Sequence, residues 1–436
     1  MNAEREPLLA AKARETASVN AFSPVQIGPL RLRNRFVKAA THGGHSFASM
    51  ERMYCRMAAN GVSLLTVAYV AVSERNKTFD NQCHISEANL GDWRSLVTKV
   101  RAAGGSMSAQ LHHPGLFVMS SSGQPMGPSF FLLPSKPAWP RTMTRADIAA
   151  VTAEFATAAA LCAEAGFACI EVHCGHGYLL SQFLTPLINR RSDEYGGSVA
   201  QRARFAVEVV EAVRAAAGPS IALVVKMNAD DGLPLGGLRL PDAVRTAQLL
   251  SEAGADAIVP SFGYTSLNGF GMLRGDVPLR EMAEGMPSCW LRWLTRLLGP
   301  FLVPRIEYTS AFLRQHAAAF VAGLKQTGTA VVYVGGADSL SAVHELLSSG
   351  CVAVQVGRPL IREPWFVRKL EVADRAGKDA ASSCIRCNQC TLAAMPGVDP
   401  KRFDGSCPFI GKGEGAPFGD IEDLSVSPMV SPQQAA

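Results

Sequence analysis

The sequence predicts a (β/α)8 TIM barrel, and three features of the chain point there. Short apolar, β-rich runs alternate with longer amphipathic or alanine-rich runs, eight of each. Glycine stands at most helix exits (Gly61, Gly104, Gly166, Gly218, Gly254, Gly328 and Gly350), where a left-handed C-cap is expected. No G-x-G-x-x-G follows the first strand, which disfavours the doubly wound sheet that the same alternation would allow.

In order, strands are expected over 35–40, 62–70, 106–111, 168–173, 222–227, 255–260, 330–334 and 352–356. Each is a short, mostly apolar run of the kind a parallel strand buried on both faces requires. Helices are expected over 50–59, 92–103, 145–165, 199–217, 241–253, 309–325, 339–348 and 362–373. The sixth connection, 263–308, is too long for a simple loop, and such connections are usually lids or interfaces. Its segment Trp290-Leu-Arg-Trp-Leu-Thr-Arg-Leu-Leu298 sets tryptophans and leucines on one helical face, with Arg292 and Arg296 opposite. That face is expected to pack on the barrel mouth or a partner subunit, ahead of peripheral membrane contact.

Composition bounds the function. The chain has 436 residues, ordinary for one barrel with insertions, and nearly half are hydrophobic. A net charge of +5 is spread along it, and no basic run interleaved with aromatics suggests nucleic acid as a partner. No uninterrupted apolar segment of membrane-spanning length is evident, and eleven cysteines fit reduced thiols in a cytoplasmic setting. Residues 1–20 are expected to form a solvated arm, 21–380 the barrel, 381–410 a cysteine-rich extension and 411–436 a disordered tail. A small-molecule substrate is expected, and homo-oligomerisation is compatible with the sequence.

Chemistry concentrates in Cys169-Ile-Glu-Val-His-Cys-Gly-His-Gly-Tyr-Leu-Leu-Ser-Gln-Phe-Leu184. His173 ends a buried strand, and His176 and Tyr178 follow across glycines, so all three are placed at the C-terminal strand ends where barrels do chemistry. Two histidines alone more often pack or make ordinary hydrogen bonds. A charge also interrupts the fifth strand at Lys226, and burying an unpartnered ammonium would be costly. A structural salt bridge or a Schiff-base lysine of a barrel aldolase would each explain it. The seventh strand runs into Gly335-Gly336 and the eighth into Gly357-Arg358, a pattern suited to cradling phosphate with backbone N–H groups, a helix dipole and a guanidinium.

Continued by Thr185-Pro-Leu-Ile-Asn-Arg-Arg-Ser-Asp-Glu-Tyr-Gly-Gly197, the histidine-tyrosine stretch resembles the signature of the Old Yellow Enzyme family of FMN-dependent oxidoreductases. Phe22 to Phe36 is similar to the opening of such chains, and the likeness covers about residues 20–376. The resemblance implies FMN bound by Ala39, Ala40 and Thr41 at the first strand, Ala68 against the ring and Gln110 on its pyrimidine edge. It sets Lys226 near the charge of the reduced ring, with Gly335, Gly336, Gly357 and Arg358 on the phosphate. Tyr69 and Arg274 are candidate substrate contacts.

The implied activity is ping-pong reduction by NADH or NADPH of an α,β-unsaturated carbonyl, as in ene-reductases. His173 and His176 would hold the carbonyl oxygen and Tyr178 would protonate the α carbon. A flavin-binding barrel without turnover is the non-enzymatic alternative. Cys384, Cys387, Cys390 and Cys407 resemble the cluster motif of long family members similar to 2,4-dienoyl-CoA reductase, but with the second gap one residue short. Iron-sulfur or zinc could be held there, yet a metal-free tract is expected.

Overall fold

Eight parallel strands close on themselves in the computed structural model, which describes residues 19–121, 123–133, 139–285, 288–303, 305–394 and 407–409. They are β1 (Phe36–Lys38), β2 (Leu64–Ala71), β3 (Ser106–His112), β4 (Cys169–Cys174), β5 (Ala222–Asp230), β6 (Ala257–Phe262), β7 (Ala330–Val334) and β8 (Ala353–Val356). Each pairs with the next, and β8 returns to β1. Closure leaves no barrel strand with unpaired edge groups. All eight lie within three residues of their expected bounds.

The surrounding helices are α1 (Phe47–Ala59), α2 (Leu90–Ala102), α3 (Arg145–Ala165), α4 (Val199–Ala217), α5 (Leu240–Glu252), α6 (Arg314–Gly323), α7 (Leu340–Ser348) and α8 (Phe366–Arg375). Local chemistry explains their ends. At α3 the Thr144 hydroxyl accepts from the Asp147 N–H while the Asp147 carboxylate accepts from the Thr144 N–H, and Gly166 closes the helix at φ 87°. Two expected helices differ. The stretch expected over 362–373 is split into Arg358–Arg362 and α8, because Pro364 between them has no N–H to continue the ladder. The stretch 309–325 becomes helical only at Arg314, since the Tyr308 and Ser310 hydroxyls donate to the Asp338 carboxylate and hold the chain against the end of β7.

The N-terminal end of the barrel is plugged. Val25–Ile27 and Leu30–Leu32 form an antiparallel hairpin, with Gly28 at φ 52° in the turn. Val25, Ile27 and Leu32 pack against Val37, Leu64, Ala222 and Ala353 in an apolar cluster. A larger cluster lies between strands and helices. The expectation that no segment reaches membrane-spanning length needs correction: α3 is long and apolar enough by composition. It buries Ile148, Val151, Phe155 and Cys162, as a core helix of the barrel does. Positions 1–18 and 411–436, where the arm and tail were expected, lie outside the described residues.

Candidate active site

Side chains two apart on a strand share a face, so Glu171 and His173 on β4 point the same way, as do Lys226 and Asn228 on β5. Above the apolar plug this places a buried polar layer. Lys226 Nζ lies 2.9 Å from Glu171 Oε1, and the same carboxylate accepts from Gln110 Nε2 and Gln355 Nε2, each at 2.6 Å. A buried ion pair persists when its remaining lone pairs are satisfied, and here they are. Beside it, the Lys38 ammonium donates to Ala39 O and Thr41 Oγ1, both at 2.9 Å. Burial and the neighbouring Lys226 push the Lys38 amine down to about 7, against the pull of Glu171. When the amine is protonated it can only donate, so its contact then occupies a Thr41 lone pair and leaves the threonine proton to serve another acceptor.

A pocket of about 450 Å³ opens over this layer at the C-terminal strand ends. Ala39, Ala40, Thr41, Gln110, Lys226 and Gln355 line its base, and Gly335, Gly336, Gly357 and Arg358 line one side. Gly335 and Gly336 stand at φ 121° and 89°, and a Cβ on Gly336 would lie 2.9 Å from the Ala311 nitrogen, so both turns need glycine. The dipole expected after Gly357 is small, because the helix there has only five residues, Arg358–Arg362. Arg358 is anchored by Nη1 donating to Arg274 O and Asn388 Oδ1. Gln355 Oε1 and His42 Nε2 are buried polar atoms without a protein partner, as expected where a ligand supplies the missing bonds.

The opposite side carries His173, His176, Tyr178 and Tyr69. Burial holds the His173 imidazole well below its ordinary value, and burial with the Lys226 charge pushes that of His176 down to about 3. Both rings are therefore neutral at ordinary pH. His173 Nδ1 accepts from the Gly175 N–H at 3.4 Å, which places the ring proton on Nε2. His176 Nε2 lies 2.7 Å from Ser261 Oγ. The His176 backbone is left-handed at φ 60°, clamped by its N–H donating to Asn228 Oδ1 and its carbonyl accepting from the Thr265 N–H. Asn228 in turn donates to Gly263 O and Asp231. The Tyr69 and Tyr178 hydroxyls are 3.0 Å apart. Burial raises both phenols above their ordinary value.

A second cavity, of about 300 Å³, adjoins the first and is lined by Cys384, Cys387, Cys390 and Cys407 with Arg358, Arg362 and Phe409. The shortened spacing therefore does not scatter the cysteines. Burial pushes the Cys390 thiol up to about 12, and the neighbouring cysteines add to the shift. Among the described residues no three cysteine, histidine or carboxylate side chains approach closely enough to share a single ion, so the thiols ring a space rather than a point. Cys384, Arg386, Cys390 and Thr391 also line the first pocket, so the extension is part of its wall.

The first pocket gathers every expected contact except two. Ala68 is not on its lining; its carbonyl accepts from the His42 ring. Arg274 is not on it either, because its guanidinium lies 4.1 Å over the Phe312 ring. Sequence reasoning passed over Glu171, Lys38, Gln355 and His42. The first three are charged or amide side chains inside short buried strands, the same signal that singled out Lys226.

A polar layer beneath a pocket flanked by two turn glycines and an anchored arginine on one side, and by neutral histidines and a phenol on the other, defines a flavin-dependent oxidoreductase. The model of the NADH:flavin oxidoreductase / NADH oxidase family matches residues 20–262. The chain belongs to this family, the Old Yellow Enzyme family of the sequence resemblance, and is an NAD(P)H:flavin oxidoreductase that uses FMN. It is 35% identical to the 4,4'-dithiodibutanoate disulfide reductase of Rhodococcus erythropolis, over 86% of this chain and 93% of that protein. It is also 35% identical to an NADPH dehydrogenase of a Geobacillus species, over 56% and 72% of the two chains. The solved 6-hydroxypseudooxynicotine amine oxidase of Pseudomonas geniculata shares the fold at a TM-score of 0.69 and 21% identity. That match covers 86% of this chain but only 52% of the longer oxidase. The aldolase alternative is not favoured, since the family is one of flavin oxidoreductases and the charge in the fifth strand is explained by the salt bridge of Lys226 to Glu171.

Proposed function

We propose that the acceptor is an activated alkene conjugated to a carbonyl, and that the hydrogen-bonded Tyr69–Tyr178 pair beside two neutral histidines is the observation that carries this reading. Bound FMN, reduced by NADH or NADPH, supplies the hydride to the β carbon. Thr41, Gln110 and Lys226 would hold its ring, and Gly335, Gly336, Gly357 and Arg358 its phosphate. His173 and His176 donate hydrogen bonds to the carbonyl oxygen, drawing charge towards it as the hydride arrives. Tyr178 gives its proton to the α carbon, and the Tyr69 hydroxyl stabilises the phenolate left behind. Tyr178→Phe is expected to leave FMN content and anaerobic flavin reduction intact while slowing reoxidation by cyclohexenone roughly a hundredfold. Stopped-flow measurement of the two half-reactions checks this, and an unchanged enone half-reaction removes Tyr178 from the mechanism.

The disulfide reductase relative, which aligns over nearly its whole length, favours a second acceptor of a different kind. Hydride attack on one sulfur would form one thiol and release the other sulfur as a thiolate, which is stable without a proton. Reoxidation by a disulfide is therefore expected to resist Tyr178→Phe, which separates the two acceptors.

We also propose, against the expectation from spacing, that the cysteine tract holds a polynuclear iron-sulfur cluster. The convergence of Cys384, Cys387, Cys390 and Cys407 on one cavity supports it.

A further inference from the structure

The helix Cys289–Leu302 forms as expected, but its tryptophans do not pack on the barrel. Trp290 is 62% exposed, Trp293 60% and Phe301 84%, while Gly299 is buried and approaches Leu279 of the short helix Leu279–Glu284. At 100° per residue Trp293, Leu297, Trp290 and Phe301 fall within one narrow stripe, and that stripe faces solvent. It has company. All exposed large apolar side chains among the described residues, apart from Val372 and Ile385, sit on connections that leave the C-terminal ends of strands. Phe130, Leu132 and Trp139 occupy the β3–α3 connection, with Trp139 78% exposed, and Leu235 occupies the β5–α5 connection.

These connections also build the mouth of the flavin pocket, with Phe117 and Met119 from the β3–α3 connection and Phe270 and Met272 from the β6–β7 connection. The aromatic side chains therefore crown one end of the barrel, the end through which ligands pass. Charge on the helix itself is of one sign: no acidic residue occurs over 285–306, where Arg292 and the exposed Arg296 lie, while Arg305 pairs with Asp276 and Arg141 with Asp147. Tryptophan and phenylalanine flanked by arginine on the same helix are the residues that settle into the headgroup region of an anionic leaflet.

We propose that the barrel mouth docks on an anionic lipid bilayer through the helix Cys289–Leu302 and the β3–α3 connection. Partner surface and pocket opening coincide, so acceptors dissolved in the bilayer reach the pocket directly.

Flotation of the FMN-loaded protein with phosphatidylcholine vesicles, with and without about one-third phosphatidylglycerol, tests this at low and raised salt. Binding to the anionic vesicles alone is expected, with a blue-shifted tryptophan emission and release by salt. Trp290→Ser combined with Trp293→Ser should weaken binding about tenfold or more, with flavin content and NAD(P)H-driven quinone reduction unchanged. Trp139→Ser, on a separate connection, should weaken it as well. Arg296→Glu should cost about fivefold or more, on the scale of one cation at a charged leaflet. Absence of flotation, or equal flotation on neutral vesicles, overturns the proposal. A concentration-dependent dimer dissolved by the tryptophan pair, without vesicle binding, overturns it in favour of a second copy of the chain.

Discussion

The two adjoining cavities share Arg358, Ile361, Cys384 and Cys390 yet are built differently. The flavin pocket stands on strand ends fixed by a closed sheet, and its polar groups are bonded to one another before any ligand arrives. The cysteine cavity is formed mostly by chain that follows the last barrel helix, with Arg358, Ile361 and Arg362 from the short helix after β8, and its thiols lie among one another and the charges of Arg358, Arg362 and Arg386. A site of the first kind is preorganised by the fold, whereas one of the second kind gains its strongest bonds when it is filled.

That contrast breaks first, and most completely, on metal content. About four irons per chain are expected after anaerobic purification, and Cys390→Ser should abolish them while FMN remains bound. Loss of flavin together with iron would show that the cavities are one unit. Iron-free protein with intact FMN would return the tract to the metal-free expectation. The roughly hundredfold loss expected for Tyr178→Phe in enone reoxidation comes next and belongs wholly to the first cavity.

Acid sharpens the comparison, because the buried rings are packed into the flavin-pocket side of the barrel. Burial holds the His113 imidazole down to about 3, and those of His112 and His173 well below the ordinary value. The folded state thus declines protons that the unfolded chain accepts below about pH 6.5. Stability from these rings is fully present above that pH and falls as pH drops towards the folded-state values, by up to roughly 1.4 kcal/mol per histidine per pH unit. Thermal melts across that window measure it. A Tm that stays level there would show that the rings take up protons without unfolding.

The smallest expected effect lies beneath the ring. Lys38→Met removes a buried amine, cationic below about pH 7, from beneath the pocket and is expected at about pH 6 to weaken reduced FMN relative to oxidised FMN about tenfold, lowering the midpoint potential by ~30 mV. Lys38→Arg should restore most of it. A potential unmoved by the methionine would reduce Lys38 to a prop for Thr41.

The barrel was legible because its strands are short apolar runs between glycine-capped helices, a pattern dictated by backbone chemistry at each boundary. The histidine-tyrosine segment was legible because polar side chains cluster where a buried strand ends. Glu171 was not, since an acid within a strand reads as a defect until its partners from β3, β5 and β8 are seen to converge on it. The outward face of Cys289–Leu302 was illegible for the opposite reason. An apolar stripe specifies that something covers it, and periodicity does not say what.

His176 is fastened at both its backbone groups to the root of the sixth connection, through Asn228 and Gly263 on one side and Thr265 on the other. It already sits in a conformation that a side-chain-bearing residue holds only under constraint. Both backbone groups of this imidazole-bearing residue are thus tied to the root of the sixth connection, so the placement of the ring over the pocket depends on how that root is folded.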